Sequence, residues 1–185
     1  QDEANVNQVE ISTIAMGQGI SVTPIQMITA VSAIANDGVL LKPTLVSKVM
    51  DGDTVVYEHQ PEEVRLVVSA ETAATVRELI VNVVTNGSGT QAAIEGYTIG
   101  GKTGTAQKAS ETGGYAPGKY VASFVGMVPA DDPELVCLVV VDEPSGVYYG
   151  SQTAAPIFHS VMSDTLRYLG IDPEVDANDG IEDGE

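Results

Sequence analysis

The chain has 185 residues, 43% of them apolar and 18% charged, with no Trp and a formal net charge of −18. That length is one domain or one large piece of a domain, and the apolar content is too high for a wholly disordered chain. Eight basic residues scattered from Lys42 to Arg167 form no patch for a nucleic-acid backbone, and an anionic membrane surface would repel so acidic a chain.

The single cysteine excludes an internal disulfide framework and a thiolate zinc site. Cys137 lies in Leu135–Val141, the longest uninterrupted apolar run, and is expected to be a small buried hydrophobe. That run is far short of the roughly 20 residues that span a bilayer. No charged-then-apolar signal segment opens the chain, so any secretion signal or anchor is expected upstream of Gln1.

In chain order, the first predicted helix starts at Pro24. Thr23 and Gln26 form a capping box, and Ile25, Ile28, Val31 and Ala35 make an apolar stripe that stops at Asn36-Asp37-Gly38. Leu45 to Met50 and Thr54 to Glu58 flank Asp51-Gly52-Asp53 as a hairpin. Ser69 caps a second helix with Ala73, Val76, Ile80 and Val83 on one face, and Asn86-Gly87 ends it. Three strands follow, near Tyr97 to Gln107, Tyr120 to Val128 and Leu135 to Asp142. The last two are joined by six residues, too few for a crossover helix, so they pair antiparallel. A third helix begins near Pro156, buries Phe158, Val161, Met162, Leu166 and Leu169, and ends at Gly170. Asp172 to Glu185 holds seven acidic residues and no basic one, a solvated and disordered tail whose glycine spacing does not fit a calcium loop. The fold class is α+β, an antiparallel sheet with packed helices, in a domain spanning 1–171.

Gly96 to Thr103 (GYTIGGKT) satisfies the letters of a phosphate-binding loop. Such a loop cradles phosphate only between a buried strand and a helix that starts at the lysine. Ser88 to Glu95 is no buried strand, and four glycines and a proline within sixteen residues after Lys102 leave no helix. An NTPase therefore stays a distant alternative. As a strand, Gly100 to Thr105 places Lys102 and Gly104 on one face and Thr103 and Thr105 on the other. Small neighbours such as Gly101 let a substrate backbone approach. A strand edge with an ammonium, two hydroxyls and free NH groups suits an extended peptide ending in a carboxylate.

Lys102-Thr103-Gly104 is the Lys-Thr-Gly element of penicillin-binding proteins and β-lactamases. Its surroundings, Ile99 to Lys108 (IGGKTGTAQK), together with Met16 to Gln26 (MGQGISVTPIQ), Tyr120 to Ala130 (YVASFVGMVPA) and Tyr149 to Pro156 (YGSQTAAP), resemble in the same order the C-terminal half of the transpeptidase domain of class B penicillin-binding proteins, division and sporulation types above all. The resemblance runs from about Ile11 to Pro173. It implies a serine D,D-transpeptidase of the bacterial cell envelope, on the outer face of the cytoplasmic membrane, acting on peptidoglycan stem peptides that end in D-Ala-D-Ala and acylated by β-lactams. No cofactor and no metal are implied. Carried over, Lys102 lends positive charge beside the nucleophile and the substrate carboxylate, Thr103 and Thr105 offer hydroxyls to that carboxylate, and Gly104 keeps the edge open. The NH of Thr105 would be an oxyanion donor.

None of the twelve serines is followed by Lys three residues on or by Asn two residues on, so the family's Ser-x-x-Lys and Ser-x-Asn elements are absent from this chain. It is therefore expected to be inactive alone and to expose apolar surface that the other half of the domain, or a second copy, covers. No nucleic acid or membrane contact is expected of the chain itself. A non-catalytic module that binds peptidoglycan peptides, and a β-lactamase-like hydrolase, are the other readings. His59 and His159 have no candidate nucleophile nearby, and Asn86-Gly87-Ser88 spells a glycosylation acceptor but reads first as a helix stop. Tyr115, Tyr148 and Tyr149 are expected to pack or lie on the surface, a groove beside the Lys102 strand being the alternative.

Overall fold

The computed structural model describes residues 7–17, 20–110 and 113–174. In chain order the elements are α1 (Gln8–Ala15), α2 (Pro24–Ala35), β1 (Val39–Leu41), β2 (Lys48–Asp51), β3 (Thr54–Glu58), β4 (Glu63–Leu66), α3 (Ala70–Thr85), a 3-10 turn (Thr90–Ala92), β5 (Gly100–Ala109), β6 (Tyr115–Val128), β7 (Leu135–Asp142) and α4 (Ala154–Leu169). The central sheet is antiparallel in the order β5-β6-β7, while β1 pairs with β4 and β2 with β3 as separate ribbons. This is the α+β architecture expected, with β6 reaching back to Tyr115, which pairs with Ala109 beyond an irregularity in the ladder.

Helices cover both faces of the sheet. Neighbouring strand residues point to opposite faces. A Cβ on Gly126 would lie 2.8 Å from the Phe158 ring of α4, whereas one on Gly100, which pairs with Met127, would meet Ile80 of α3 at 3.1 Å. The core between sheet and α4 contains Phe124, Val128, Phe158, Met162 and Leu166, with the Phe124 and Phe158 rings edge to face at 4.8 Å.

The two best-capped helices begin where the caps place them. The Thr23 side chain accepts from Gln26 N while the Gln26 side chain accepts from Thr23 N, and Ser69 Oγ accepts from Thr72 N at 3.1 Å. α4 starts at Ala154, two residues before the expected Pro156, because proline is tolerated in a first turn where NH groups have no helical partner. Its buried stripe is Ala154, Phe158, Met162 and Leu166 at strict four-residue spacing; Val161 and Leu169 sit on the flank, 46% and 52% exposed, contrary to expectation. α2 is likewise rotated, burying Ala33 and leaving Ile25 55% exposed. Cys137 is half-buried against the core, where desolvation pushes its thiol pKa up. At the start of the acidic segment Glu174 is held in place. Glu174 N donates to Gly96 O and its carboxylate accepts from Thr98 N, anchoring the chain to the loop before β5. A hydrogen bond with Glu174 also holds the Asp131 carboxyl below its usual range. Residues 175–185, where the rest of the expected tail falls, lie outside the described residues. Among the described residues no helix is long and apolar enough to cross a membrane.

An ion cluster closes the far end of the sheet. Lys108 Nζ lies 2.9 Å from Asp142 Oδ1 and 2.9 Å from Glu143 Oε1, and Lys119 Nζ lies 3.3 Å from that same Glu143 oxygen. Glu143 has φ +50, a left-handed conformation that costs a non-glycine residue energy, and the two lysines hold its carboxylate there. Hydrogen bonds to Glu143 and then Asp142 raise Lys108 above its ordinary 10.5; Lys108 and then Lys119 lower Glu143 below its ordinary 4.5. A raised lysine stabilises fully below its unfolded pKa and loses that contribution as pH rises through the folded value. A lowered carboxylate stabilises fully above its unfolded pKa and loses it as pH falls through the folded value. The melting-temperature gap between wild type and Lys108→Met is therefore expected to be widest from about pH 5 to 10 and to close on either side. Because the cluster is exposed, the gap should shrink in molar salt; one independent of pH would contradict this account.

Candidate active site

β5 has one hydrogen-bonded neighbour, β6, and among the described residues no strand pairs with its other edge. Its register sets Lys102 opposite Val125, Thr103 opposite Phe124, Gly104 opposite Ser123 and Thr105 opposite Ala122. Lys102 and Gly104 thus share one face, and Thr103 and Thr105 the other. No helix starts at Lys102, and the segment before Gly96 is a 3-10 turn followed by an isolated bridge between Ile94 and Tyr97, so the phosphate-loop geometry is absent.

Lys102 is exposed, its ammonium donating to the carbonyl of Thr103 at 2.9 Å and reaching Thr103 Oγ1 at 3.5 Å. Thr103 Oγ1 is in turn 2.9 Å from Ser88 Oγ, in the loop after α3. Thr105 Oγ1 accepts the Gly150 NH at 3.1 Å, which ties β5 to the segment leading into α4 and leaves the threonine proton free to be donated.

The glycines here have packing reasons as well as any functional one. A Cβ on Gly101 would lie 2.4 Å from the Phe124 ring, and one on Gly104 would lie 2.4 Å from Ser123 Oγ. Gly150 is the tightest: a Cβ there would lie 2.4 Å from both the Gly104 and Ser123 carbonyl oxygens, which are backbone and cannot swing away. Gly150→Ala is expected to destabilise by about 2 to 3 kcal/mol through overpacking, read as a lower denaturant midpoint with unchanged slope. A wild-type midpoint would show that the strands yield more readily than this packing implies.

Beside this segment Tyr148 stacks on Tyr120, with ring centroids 4.0 Å apart, and tilts against Tyr149 at 4.6 Å. The third member of the aromatic group is Tyr120 rather than Tyr115, which is exposed at the start of β6. The Tyr148 hydroxyl donates to that of Tyr149, and its pKa is pushed up to about 12, so it stays neutral. His159 Nδ1 lies 2.6 Å from the Ala93 carbonyl and, as the donor, pins α4 to the 3-10 segment; His59 Nδ1 lies 3.2 Å from the Tyr57 hydroxyl. Neither histidine comes near Lys102 through these contacts. Asn86 caps α3 through its NH to Asn82 O, the helix stop expected of it. Ser88 and Gly150 reach β5 across 15 and 45 positions, a closeness that only the fold supplies.

The family described as penicillin binding protein transpeptidase domain matches residues 1–163. Stage V sporulation protein D of Bacillus subtilis is 44% identical over 171 residues, covering 91% of this chain and 26% of that protein. Penicillin-binding protein PbpB of Mycolicibacterium smegmatis is 41% identical over 167 residues, covering 84% of this chain and 26% of its own length. The chain thus spans about a quarter of these curated relatives. Among solved structures, penicillin binding protein 3 of Mycobacterium tuberculosis complexed with ampicillin superposes with a TM-score of 0.83 at 32% identity, covering 95% of this chain and 41% of that one. The transpeptidase domain of Burkholderia pseudomallei penicillin-binding protein 3 gives 0.79 at 39% identity, covering 94% and 50%. With its antiparallel sheet, flanking helices and Lys-Thr-Gly strand, the chain belongs to the penicillin binding protein transpeptidase domain family.

Proposed function

We propose that this chain supplies the Lys-Thr-Gly half of a peptidoglycan D,D-transpeptidase active site. The observation that carries the proposal is β5: a strand with one open edge, bearing Lys102, Thr103 and Thr105 in a frame that Gly101, Gly104 and Gly150 hold tightly packed. A stem peptide ending in D-Ala-D-Ala lies along that edge. Thr103 and Thr105 donate to its terminal carboxylate, Lys102 adds positive charge beside the carboxylate and the nucleophile, and the Thr105 NH receives the developing oxyanion. A serine from a Ser-x-x-Lys element outside this chain attacks the carbonyl of the penultimate D-Ala, forms an acyl ester and releases the terminal D-Ala. The amine of a second stem peptide then takes the acyl group. β-Lactams enter by the same route, as the named ampicillin and aztreonam complexes of the M. tuberculosis relative support. The setting is the bacterial cell envelope, and the exposed apolar flank of α4 is covered by the other half of the domain or by a second copy.

The test is covalent labelling with a fluorescent penicillin. The 185-residue chain alone should stay unlabelled, since none of its serines has a Lys at the third position, and the full-length protein should be labelled. Labelling of the chain alone would overturn the division of the site. An unlabelled full-length protein would favour a peptide-binding module without catalysis.

A further inference from the structure

We propose that Ser88 is a positioning residue for the Thr103 hydroxyl, and through it for the substrate or β-lactam carboxylate; the inference rests on the transpeptidase reading of the same site. The loop that carries Ser88 is wrapped hard against the last turn of α3. A Cβ on Gly87 would lie 2.8 Å from Val83 O and one on Gly89 3.1 Å from the same oxygen, to which Gly89 N donates at 2.9 Å. Asn86 adds a side-chain hydrogen bond to Asn82 Oδ1 at 2.8 Å. Between two glycines that have no room for a side chain, Ser88 alone projects one, and its Oγ is held 2.9 Å from Thr103 Oγ1.

Proton counting gives this contact a consequence. Each hydroxyl carries one proton and two acceptor lone pairs. The Lys102 ammonium, which only donates, approaches Thr103 Oγ1 at 3.5 Å and so occupies one acceptor direction. With Ser88 as the donor to Thr103 Oγ1, the Thr103 proton remains for an incoming anion. With Ser88 removed, the Thr103 hydroxyl is free to turn among its staggered positions and must be ordered when the carboxylate arrives, an entropic cost that a fixed partner avoids. The effect belongs to binding of the carboxylate, made before and during the chemical step alike, so it should appear in affinity and leave the limiting acylation rate alone.

The experiment measures benzylpenicillin acylation of the full-length protein across a concentration series, separating the half-saturating concentration from the limiting rate. Ser88→Ala is expected to raise the half-saturating concentration about three- to tenfold, the size of one neutral hydrogen bond, with the limiting rate changed less than about twofold. Ser88→Thr should restore the wild-type value. Thr103→Val should show its own loss, and adding Ser88→Ala to it should cost nothing further, since the positioned hydroxyl is already gone. Melting temperatures of the Ser88 variants should match wild type, Ser88 being exposed. The inference is overturned if Ser88→Ala matches wild type, if its effect adds in full to that of Thr103→Val, or if affinity, limiting rate and melting temperature all fall together as a loosened loop would require. A wild-type protein that is not acylated at all removes the transpeptidase reading itself, a failure distinct from these and one that takes this inference with it.

Discussion

Phe158→Ala is expected to lower the free energy of unfolding by about 3 to 5 kcal/mol, read from denaturant titration of the chain. The chain has two phenylalanines and no tryptophan, and both phenylalanines meet in one contact, Phe158 fully buried and edge to face with Phe124. Removing the ring loses its transfer energy, the edge-to-face term of about 0.5 to 1.5 kcal/mol, and the contacts across the space left behind. That space cannot collapse easily, because it is walled by the strand backbone at Gly126 and by α4. The same wall gives a sharper test. Gly126→Ala alone should destabilise, its Cβ falling 2.8 Å from the Phe158 ring, but in the Phe158→Ala background much of that penalty should vanish because the methyl enters the vacated space. Strict additivity of the two changes would show that the ring and the glycine are not packed as described.

Lys102→Ala in the full-length protein is expected to reduce the rate of acylation by penicillin about 10²- to 10³-fold, the range found when one preorganised charge or donor is removed from an acyl-transfer site. The side chain is exposed and, among the described residues, its hydrogen bonds go to Thr103, so stability should change by no more than about 0.5 kcal/mol. Activity and stability therefore separate at this position, whereas at Phe158 they are lost together. Lys102→Arg should not rescue, because the guanidinium spreads its charge over a rigid planar fork whereas the Lys102 ammonium is a compact point charge on a flexible stem. Acylation of Lys102→Ala at the wild-type rate would remove Lys102 from the chemistry and with it the central assignment of β5.

What was legible in the sequence follows from how local each signal is. The capping box of Thr23 and Gln26, the Ser69 cap, the Asp51-Gly52-Asp53 turn and the six-residue link between β6 and β7 all act within a few residues, and the structure has them where the residues place them. β5 was readable for another reason, its motif: the letters of Gly96 to Thr103 also fit a phosphate loop, but no buried strand precedes Gly96, and the glycines and proline after Lys102 leave no helix. The buried faces of the helices sit a fraction of a turn from the apolar stripes. Periodicity locates an apolar face, but Val161 and Ile25 are exposed because the neighbouring elements cover a narrower arc than the apolar residues span. β1 and β4 leave no mark in the sequence because three- and four-residue strands carry too few alternations to register, and their pairing is set by position rather than pattern. The contacts that tie β5 to its neighbours, Ser88 with Thr103 and Gly150 with Thr105, join residues whose types suit any turn or surface.

The open edge of β5 has one more consequence, for association between copies. A strand of glycine, threonine and alanine with unpaired backbone groups along one side is a template for adding another strand, and proteins discourage this by placing charge, lysine especially, on such edges. Two of the eight basic residues of this acidic chain, Lys102 and Lys108, lie on β5. Lys108 is neutralised by Asp142 and Glu143, whereas the Lys102 ammonium makes its hydrogen bonds to neutral Thr103 and so keeps its full repulsion for a like strand. The residue proposed to meet the substrate carboxylate thus also sets a like charge against edge-to-edge pairing with a second copy.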